Sequence, residues 1–248
     1  MKKFENKVAV VTGGNSGIGY AAAEKLVSLG ATVIITGRRK EAIEKAAAEI
    51  GAIPFVADQA NLKDTEALFT SVQQQYGKVD ILFINAGITG HSTLIEEATE
   101  DNFDNVMNIN FKGAYFTLSR FVPLLGEGAS VVILSSIVAS TYQPNSSIYQ
   151  ASKAALNSIA KTAAAELAPK KVRVNIVSPG PTRTAVLSKA GIDAATADGI
   201  FDQLSATRIP LRKVGTPEDV ASLVAYLSDD AATYITGSEF VIDGGFTL

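Results

Sequence analysis

The chain has 248 residues, with 25 acidic and 22 basic side chains, a formal net charge of −3, no cysteine, no tryptophan and a single histidine, His91. Without a thiol there is no disulfide scaffold, thiolate nucleophile or cysteine-held zinc or iron–sulfur cluster, and one imidazole cannot make a multi-histidine metal site. The slight acidity argues against nucleic acid or an anionic membrane as a partner, and 47% hydrophobic with 19% charged residues is ordinary for a globular chain folding as one domain over 1–248.

No apolar signal-like stretch follows Met1-Lys2-Lys3-Phe4, and no apolar run is long enough to span a bilayer, so a cytoplasmic protein is expected. Short β-branched runs then recur along the chain: Val8–Val11, Thr32–Thr36, Ile53–Val56, Ile81–Ile84, Val131–Leu134, Val172–Val177 and Phe240–Ile242. Each is nearly continuous in apolar residues, the pattern of parallel strands buried on both faces. Between them lie segments rich in Ala, Leu, Glu and Lys, among them Ala21–Leu29, Lys40–Ile50, Leu62–Tyr76 and Ala151–Leu167, all good helix formers. Gly30, Gly51 and Gly77 follow three of these, where a left-handed cap belongs. The alternation predicts an α/β fold: a single Rossmann-type, doubly wound parallel sheet of about seven strands with helices on both faces. One insertion, residues 185–212, interrupts the rhythm before Thr216-Pro217-Glu218-Asp219, which reads as a helix start. An insertion at the carboxyl edge of a sheet is expected to be a substrate-binding lid.

Directly after the first strand comes Thr12-Gly13-Gly14-Asn15-Ser16-Gly17-Ile18-Gly19. Glycines between a strand and a helix allow a tight turn and let backbone amides approach a pyrophosphate, whose charge the helix N-terminus favours. The spacing is Gly-x-x-x-Gly-x-Gly.

The seven tyrosines can be sorted by what stands one helical turn on, because a phenol with pKa near 10 needs a nearby cation to serve as an acid/base at neutral pH. Only Tyr149 has one, Lys153; the others are followed by Glu24, Asp80, Ser119, Ser146, Asp230 and Ser238.

Taken together, the chain resembles the short-chain dehydrogenase/reductase family. The resemblance rests on Thr12 to Gly19, Asn85-Ala86-Gly87, Asn110 with Gly113, a serine ahead of Tyr149-x-x-x-Lys153, Pro179-Gly180 and Asp243-Gly244-Gly245, so it spans nearly the whole chain. It implies hydride transfer between a nicotinamide and a carbonyl or carbinol carbon, with Tyr149 as acid/base. Lys153 would lower the phenol pKa and bind the nicotinamide ribose, and Ser136 would hold the substrate oxygen, with Ser135 its neighbour in register. Asn110 would kink its helix and hold a relay water against the lysine; Asn102, Asn105 and Asn108 nearby read as polar-face residues, and the Asn-x-x-Gly match to Gly113 selects Asn110. The resemblance further implies that Asp58 meets adenine and that Thr182 to Thr184 hold the nicotinamide carboxamide.

At the end of the second strand, Thr36-Gly37-Arg38-Arg39-Lys40 has no carboxylate, and Arg38 could grip a 2′-phosphate, so the cofactor leans toward NADP(H) over NAD(H). The expected pocket, Ile137 to Tyr142, Pro181, and Val186, Leu187, Ile200, Phe201 and Leu204 of the insertion, is apolar, suiting a hydrophobic ketone or secondary alcohol. Arg208 to Leu211 and Val214 to Val220 resemble 3-oxoacyl-carrier-protein reductases, a second reading; a dinucleotide-sensing binding protein is a third. His91 reads as a solvated loop residue. Relatives of this kind form homotetramers, and the tail Phe246-Thr247-Leu248 would then be buried in a partner subunit.

Overall fold

The computed structural model describes residues 2–184 and 193–248. The strands are β1 (Val8–Val11), β2 (Thr32–Gly37), β3 (Ile53–Val56), β4 (Val79–Ile84), β5 (Leu125–Leu134), β6 (Arg173–Pro179) and β7 (Glu239–Ile242), paired in the order β3-β2-β1-β4-β5-β6-β7. Every pairing is parallel. The helices α1 (Gly17–Ser28), α2 (Lys40–Ile50) and α3 (Leu62–Tyr76) follow the first three strands. Next come α4 (Glu100–Met107) and α5 (Ala114–Phe121), joined by a π-helical turn over Asn108–Gly113, then α6 (Ser147–Leu167), α7 (Ala194–Thr207) and α8 (Pro217–Leu227).

The continuous apolarity of the central strands has a direct cause. Val10, Ile34, Leu82, Ile84, Val131, Ile133, Val174 and Ile176 pack with α3, α5 and α6 on one face. Their neighbours Ala9, Val11, Val33, Ile35, Ile81, Phe83, Val132 and Val177 pack with α1, α2 and α8 on the other. Each central strand thus feeds two cores, and a polar residue on either face would be desolvated.

Two strands depart from the uniform burial that the sequence suggests. β3 and β7 lie at the sheet edges, where Val56 is 47% and Val241 53% exposed. Pro54 on β3 fits an edge, since it has no N–H to pair with a further strand. β5 begins at Leu125, ahead of the apolar run, because Leu125 already pairs with Val79; the register then shifts across Gly126-Glu127-Gly128, which carries no hydrophobic signal, and pairing resumes at Ser130. The caps follow expectation: Gly51 and Gly77 end α2 and α3 in the left-handed conformation, and Thr216 with Asp219 forms a capping box on α8. Within the insertion, Asp193 caps α7, and Phe201 is buried against Ile209 and Val214, with Leu204 and Phe246 alongside. Val186 and Leu187 lie outside the described residues. Phe246 packs partly against this cluster within its own chain, and Leu248 is fully exposed. Among the described residues no helix is long and apolar enough to cross a membrane.

The packing of α1 against the turn after β1 sets where the carboxyl edge of the sheet opens. A Cβ at Gly19 would lie 2.3 Å from the Gly13 carbonyl oxygen and 2.4 Å from Asn85 Nδ2. Gly19→Ala is expected to lower stability by about 1–3 kcal/mol through overpacking. Gly199, exposed in α7 with nothing near its Cβ position, is the control: Gly199→Ala should raise stability by up to about 1 kcal/mol through helix propensity. Urea denaturation of both variants checks the contrast, and equal midpoints for the two would refute it.

Candidate active site

β1 pairs with β2 on one side and β4 on the other, so the loops leaving β1 and β4 diverge and open a crevice at the carboxyl edge. Asparagine and threonine side chains hold the two loops together. Thr12 Oγ1 accepts from the backbone N–H groups of Asn85 and Ala86 at 3.0 and 3.1 Å, and Asn85 Nδ2 donates to the carbonyls of Thr12 and Gly13 at 2.8 and 3.2 Å. The Asn85 carboxamide thus fixes the turn. Gly13 and Gly17 have φ of 67° and 56°, a region other residues seldom occupy, and this curls the turn under the start of α1.

The result fits a diphosphate. The first amides of α1 have no partner inside the helix, and no acidic residue occupies its first turn. Ser16 stands at the N-cap and Ile18 packs inward against the core. Thr184 comes back over the turn, its Cγ2 3.5 Å from where a Cβ on Gly17 would be. The segment before it is pinned by Gly180 N–H to the Ile242 carbonyl, Thr182 Oγ1 to the Gly180 carbonyl, and Arg183 N–H to the Gly215 carbonyl. Pro179 ends β6 at the same edge. Arg38 is exposed just past β2, and Asp58, past β3, accepts from Ala60 N–H through Oδ1.

At the carboxyl end of β5 the chain brings Ser136, Tyr149 and Lys153 together. Ser136 stands close enough to the Tyr149 phenol to lower its pKa, and its hydroxyl accepts from Val138 N–H at 3.3 Å. Its neighbour Ser135 faces the other way, buried, with its hydroxyl donating to the Lys153 carbonyl at 3.3 Å. Lys153 is only 3% exposed; its Nζ donates to the Leu134 carbonyl at 2.8 Å and lies 5.8 Å from the centre of the Tyr149 ring. Burial pushes the ammonium pKa down to about 8. Burial also pushes the Tyr149 phenol up, opposed by the Ser136 hydrogen bond. The direction is the reverse of the lowering expected from Lys153, because desolvation disfavours the phenolate more than its surroundings stabilise it.

Asn110 is fully buried in the π-helical turn between α4 and α5, the local break that the sequence expectation placed on a kinked helix. Its carboxamide grips the Ile88 peptide from both sides: Oδ1 accepts from Ile88 N–H and Nδ2 donates to the Ile88 carbonyl, each at 2.8 Å. Nδ2 also donates to Ser152 Oγ at 3.0 Å, and Ser152 donates to the Tyr149 carbonyl at 2.7 Å. Both amide hydrogens are thereby engaged, and the side chain positions the loop and α6. A Cβ on Gly87 would lie 3.2 Å from Asn110 Oδ1 and 3.5 Å from Lys153 Nζ, which makes Gly87 the meeting point of loop, turn and lysine.

Sequence reasoning missed two supporting residues. Ser152, with 0% exposure, is hidden inside the Tyr-x-x-x-Lys spacing, and its neighbourhood to Lys153 is the one clue it offers. Asn102, set aside as a polar-face residue, repeats the Asn110 device: Oδ1 accepts from His91 N–H at 2.9 Å and Nδ2 donates to the His91 carbonyl at 3.1 Å. The His91 side chain itself is exposed.

A family model described as enoyl-(acyl carrier protein) reductase matches residues 13–247. The NADP-dependent (R)-specific alcohol dehydrogenase of Lentilactobacillus kefiri is 36% identical over 254 residues, covering 99% of this chain and 98% of that protein. A 3-oxoacyl-[acyl-carrier-protein] reductase from Thermotoga maritima is 35% identical, covering 99% of this chain and 100% of the relative. A short chain dehydrogenase from Burkholderia cenocepacia, solved in complex with NADP, superposes with a TM-score of 0.89 at 33% identity, over 99% of this chain and 100% of that one. With the Rossmann sheet and the crevice just described, these likenesses establish that the chain belongs to the short-chain dehydrogenase/reductase family and is an NAD(P)(H)-dependent oxidoreductase.

Proposed function

We propose that the protein reduces a ketone to a secondary alcohol and runs the reverse oxidation, with Tyr149 as the acid/base. The observation that carries this is the convergence of Ser136, Tyr149 and Lys153 beside Gly87 at the carboxyl end of β5. The bound nicotinamide supplies or takes up the hydride. In the reductive direction Tyr149 gives its phenolic proton to the substrate oxygen as charge develops there, while Ser136 holds that oxygen; in the oxidative direction the phenolate removes the proton. The phenol carries its proton at neutral pH, ready for the reductive step, and burial, which raises its pKa, favours that state. Lys153 supplies the positive charge beside the ring and binds the nicotinamide ribose, with Asn110 and Ser152 as positioning residues.

For the rest of the cofactor, the amides of Gly13 to Gly19 would hold the diphosphate, Asp58 the adenine, Asn85 to Gly87 the inner wall and Thr182 to Thr184 the carboxamide. Arg38, in a stretch without carboxylates, favours NADP(H). The substrate is a hydrophobic ketone. Ile137 is buried beside the site, and the loops bearing Leu94-Ile95 and Tyr142, all exposed, are tied by Thr93 N–H to the Asn145 carbonyl. The 185–212 insertion is the lid in this reading. The 3-oxoacyl relative favours a second substrate class, an acyl thioester on a carrier protein, which rates with free ketones and carrier thioesters separate. The assembly is a homotetramer, supported by exposed Phe103, Tyr115 and Val241; sedimentation as a monomer at micromolar concentration would contradict it.

Tyr149→Phe should bind NADPH with affinity within about threefold of the parent and lose about 10²–10⁴-fold in turnover, the usual range for one acid/base group. Steady-state oxidation of NADPH with a ketone panel, alongside nicotinamide fluorescence titration, reads both. Arg38→Asp should reverse the preference between NADPH and NADH, since a carboxylate repels the 2′-phosphate; an unchanged ratio of kcat/KM values rejects Arg38 as the discriminator.

Lys153 also makes a stability prediction. Its pKa is about 8 in the folded chain against 10.5 for the free group, so between those values the unfolded state binds more protons and stability rises with pH. Relative to Lys153→Met, the parent should gain about 2 kcal/mol between pH 7 and 9.5. Chemical denaturation of both proteins at the two pH values measures the difference, and a constant gap would show that the ammonium is not desolvated.

A further inference from the structure

The turn that carries Asn110 is held by a residue with no part in the reaction above. In an α-helix each carbonyl accepts from the amide four residues on, and a π-helical turn breaks that ladder and admits outside donors. At Ile109 the outside donor is Gln59. Its Nε2 donates to the Ile109 carbonyl and to the Ala86 carbonyl, both at 3.1 Å. One of these carbonyls belongs to the π turn and the other to Asn85-Ala86-Gly87, and Gln59 itself follows Asp58.

Two further observations give the contact meaning. The Gln59 backbone presses so close to the turn that a Cβ at Gly113 would lie 2.2 Å from its carbonyl oxygen. That approach accounts for a glycine three residues after Asn110. In addition, Gln59 Oε1 is buried with no hydrogen-bond partner. The amide cannot turn over to relieve this, since its oxygen would then face two carbonyl oxygens. An apolar side chain would avoid the orphaned acceptor. What the glutamine brings to this place is its pair of donors.

We propose that Gln59 is a positioning residue that ties the adenine end of the cofactor site to its proton-transfer end. By fastening the Ala86 and Ile109 carbonyls, it holds the π turn so that Asn110 meets Ile88 and Ser152, and through Ser152 the Tyr149 turn of α6. The inference rests on the Tyr149 reading and on Asp58 as the adenine contact.

The test compares the parent, Gln59→Met, Gln59→Glu and Tyr149→Phe. Gln59→Met keeps the length and loses the donors; its kcat should fall about tenfold, the value of one geometry-setting hydrogen bond, with NADPH affinity by fluorescence titration changed less than about threefold. In the cofactor-free protein, amide hydrogen exchange at residues 108–113 should quicken about tenfold while β1 and β4 stay protected. Gln59→Glu regains one donor on protonation, so its kcat relative to the parent should climb as the pH falls from about 8 to about 5, and this holds even where Gln59→Met folds poorly. A kcat for Gln59→Met within about twofold of the parent, a loss confined to NADPH affinity, uniform acceleration of exchange, or a flat pH ratio for Gln59→Glu each overturns the proposal. Tyr149→Phe separates the levels: if it is inactive while Gln59→Met is normal, the coupling alone fails, and if it is active, the acid/base reading fails first.

Discussion

An ammonium buried under a sheet edge is the constraint around which the rest of the site is arranged. Lys153 is nearly without solvent, and among the described residues its one fixed acceptor is the carbonyl of Leu134 at the end of β5. A charge in that position lowers stability unless something else gains from it, and burial already draws its pKa down to about 8. The fold keeps it there by packing α6 tightly against β6 through Leu156 and through Ala160, Ala163 and Ala164, whose small side chains let the helix come close. Moving α6 outward would hydrate Lys153 and would also separate Tyr149 from Ser136. The same packing therefore sets both the electrostatics and the geometry where Ser136, Tyr149 and Lys153 meet.

The sheet was legible because each central strand feeds two cores, which leaves runs such as Val8-Ala9-Val10-Val11 without polar interruption. Where only one face or neither is covered, the signal fails: β3 reads like an interior strand by composition and lies at an edge, and the early part of β5 carries almost no apolar residues. The glycine turn and the Tyr149–Lys153 pair were legible because their chemistry demands particular residue types at fixed local spacings. Ser135 and Ser136 differ by one residue in register, and at the end of β5 it is Ser135 that turns inward to the α6 backbone.

Contacts made across the chain were not legible, even where the residue itself was named, as for Asn110. Asn102 grips His91, Asn110 grips Ile88, and Gln59 reaches Ile109, and in each case the partner is a backbone group whose residue identity leaves no trace in the sequence. The pKa of Tyr149 illustrates the same limit. Spacing puts a cation one turn away, but whether the phenol rises or falls depends on how much water reaches it, a property of packing that no local pattern encodes.

These amide grips also explain how a loop without regular structure can serve a rigid site. From Asn85 to His91 the chain pairs with no strand, yet Thr12 holds the N–H groups of Asn85 and Ala86, and Asn110 and Asn102 hold both polar groups of Ile88 and of His91. A carboxamide presents one donor and one acceptor at about the spacing of a peptide edge, so an asparagine on a helix can stand in for a strand neighbour. Gly90 lets the loop lie close enough for this, since a Cβ there would sit 2.4 Å from Val106 Cγ2 and 2.7 Å from Asn102 Oδ1. Because the hydrogen bonds go to the backbone, the loop's side chains are left free to differ without loosening it. The side chains of Ile88, Thr89 and His91 can then be exchanged while Gly87 stays fixed against Lys153.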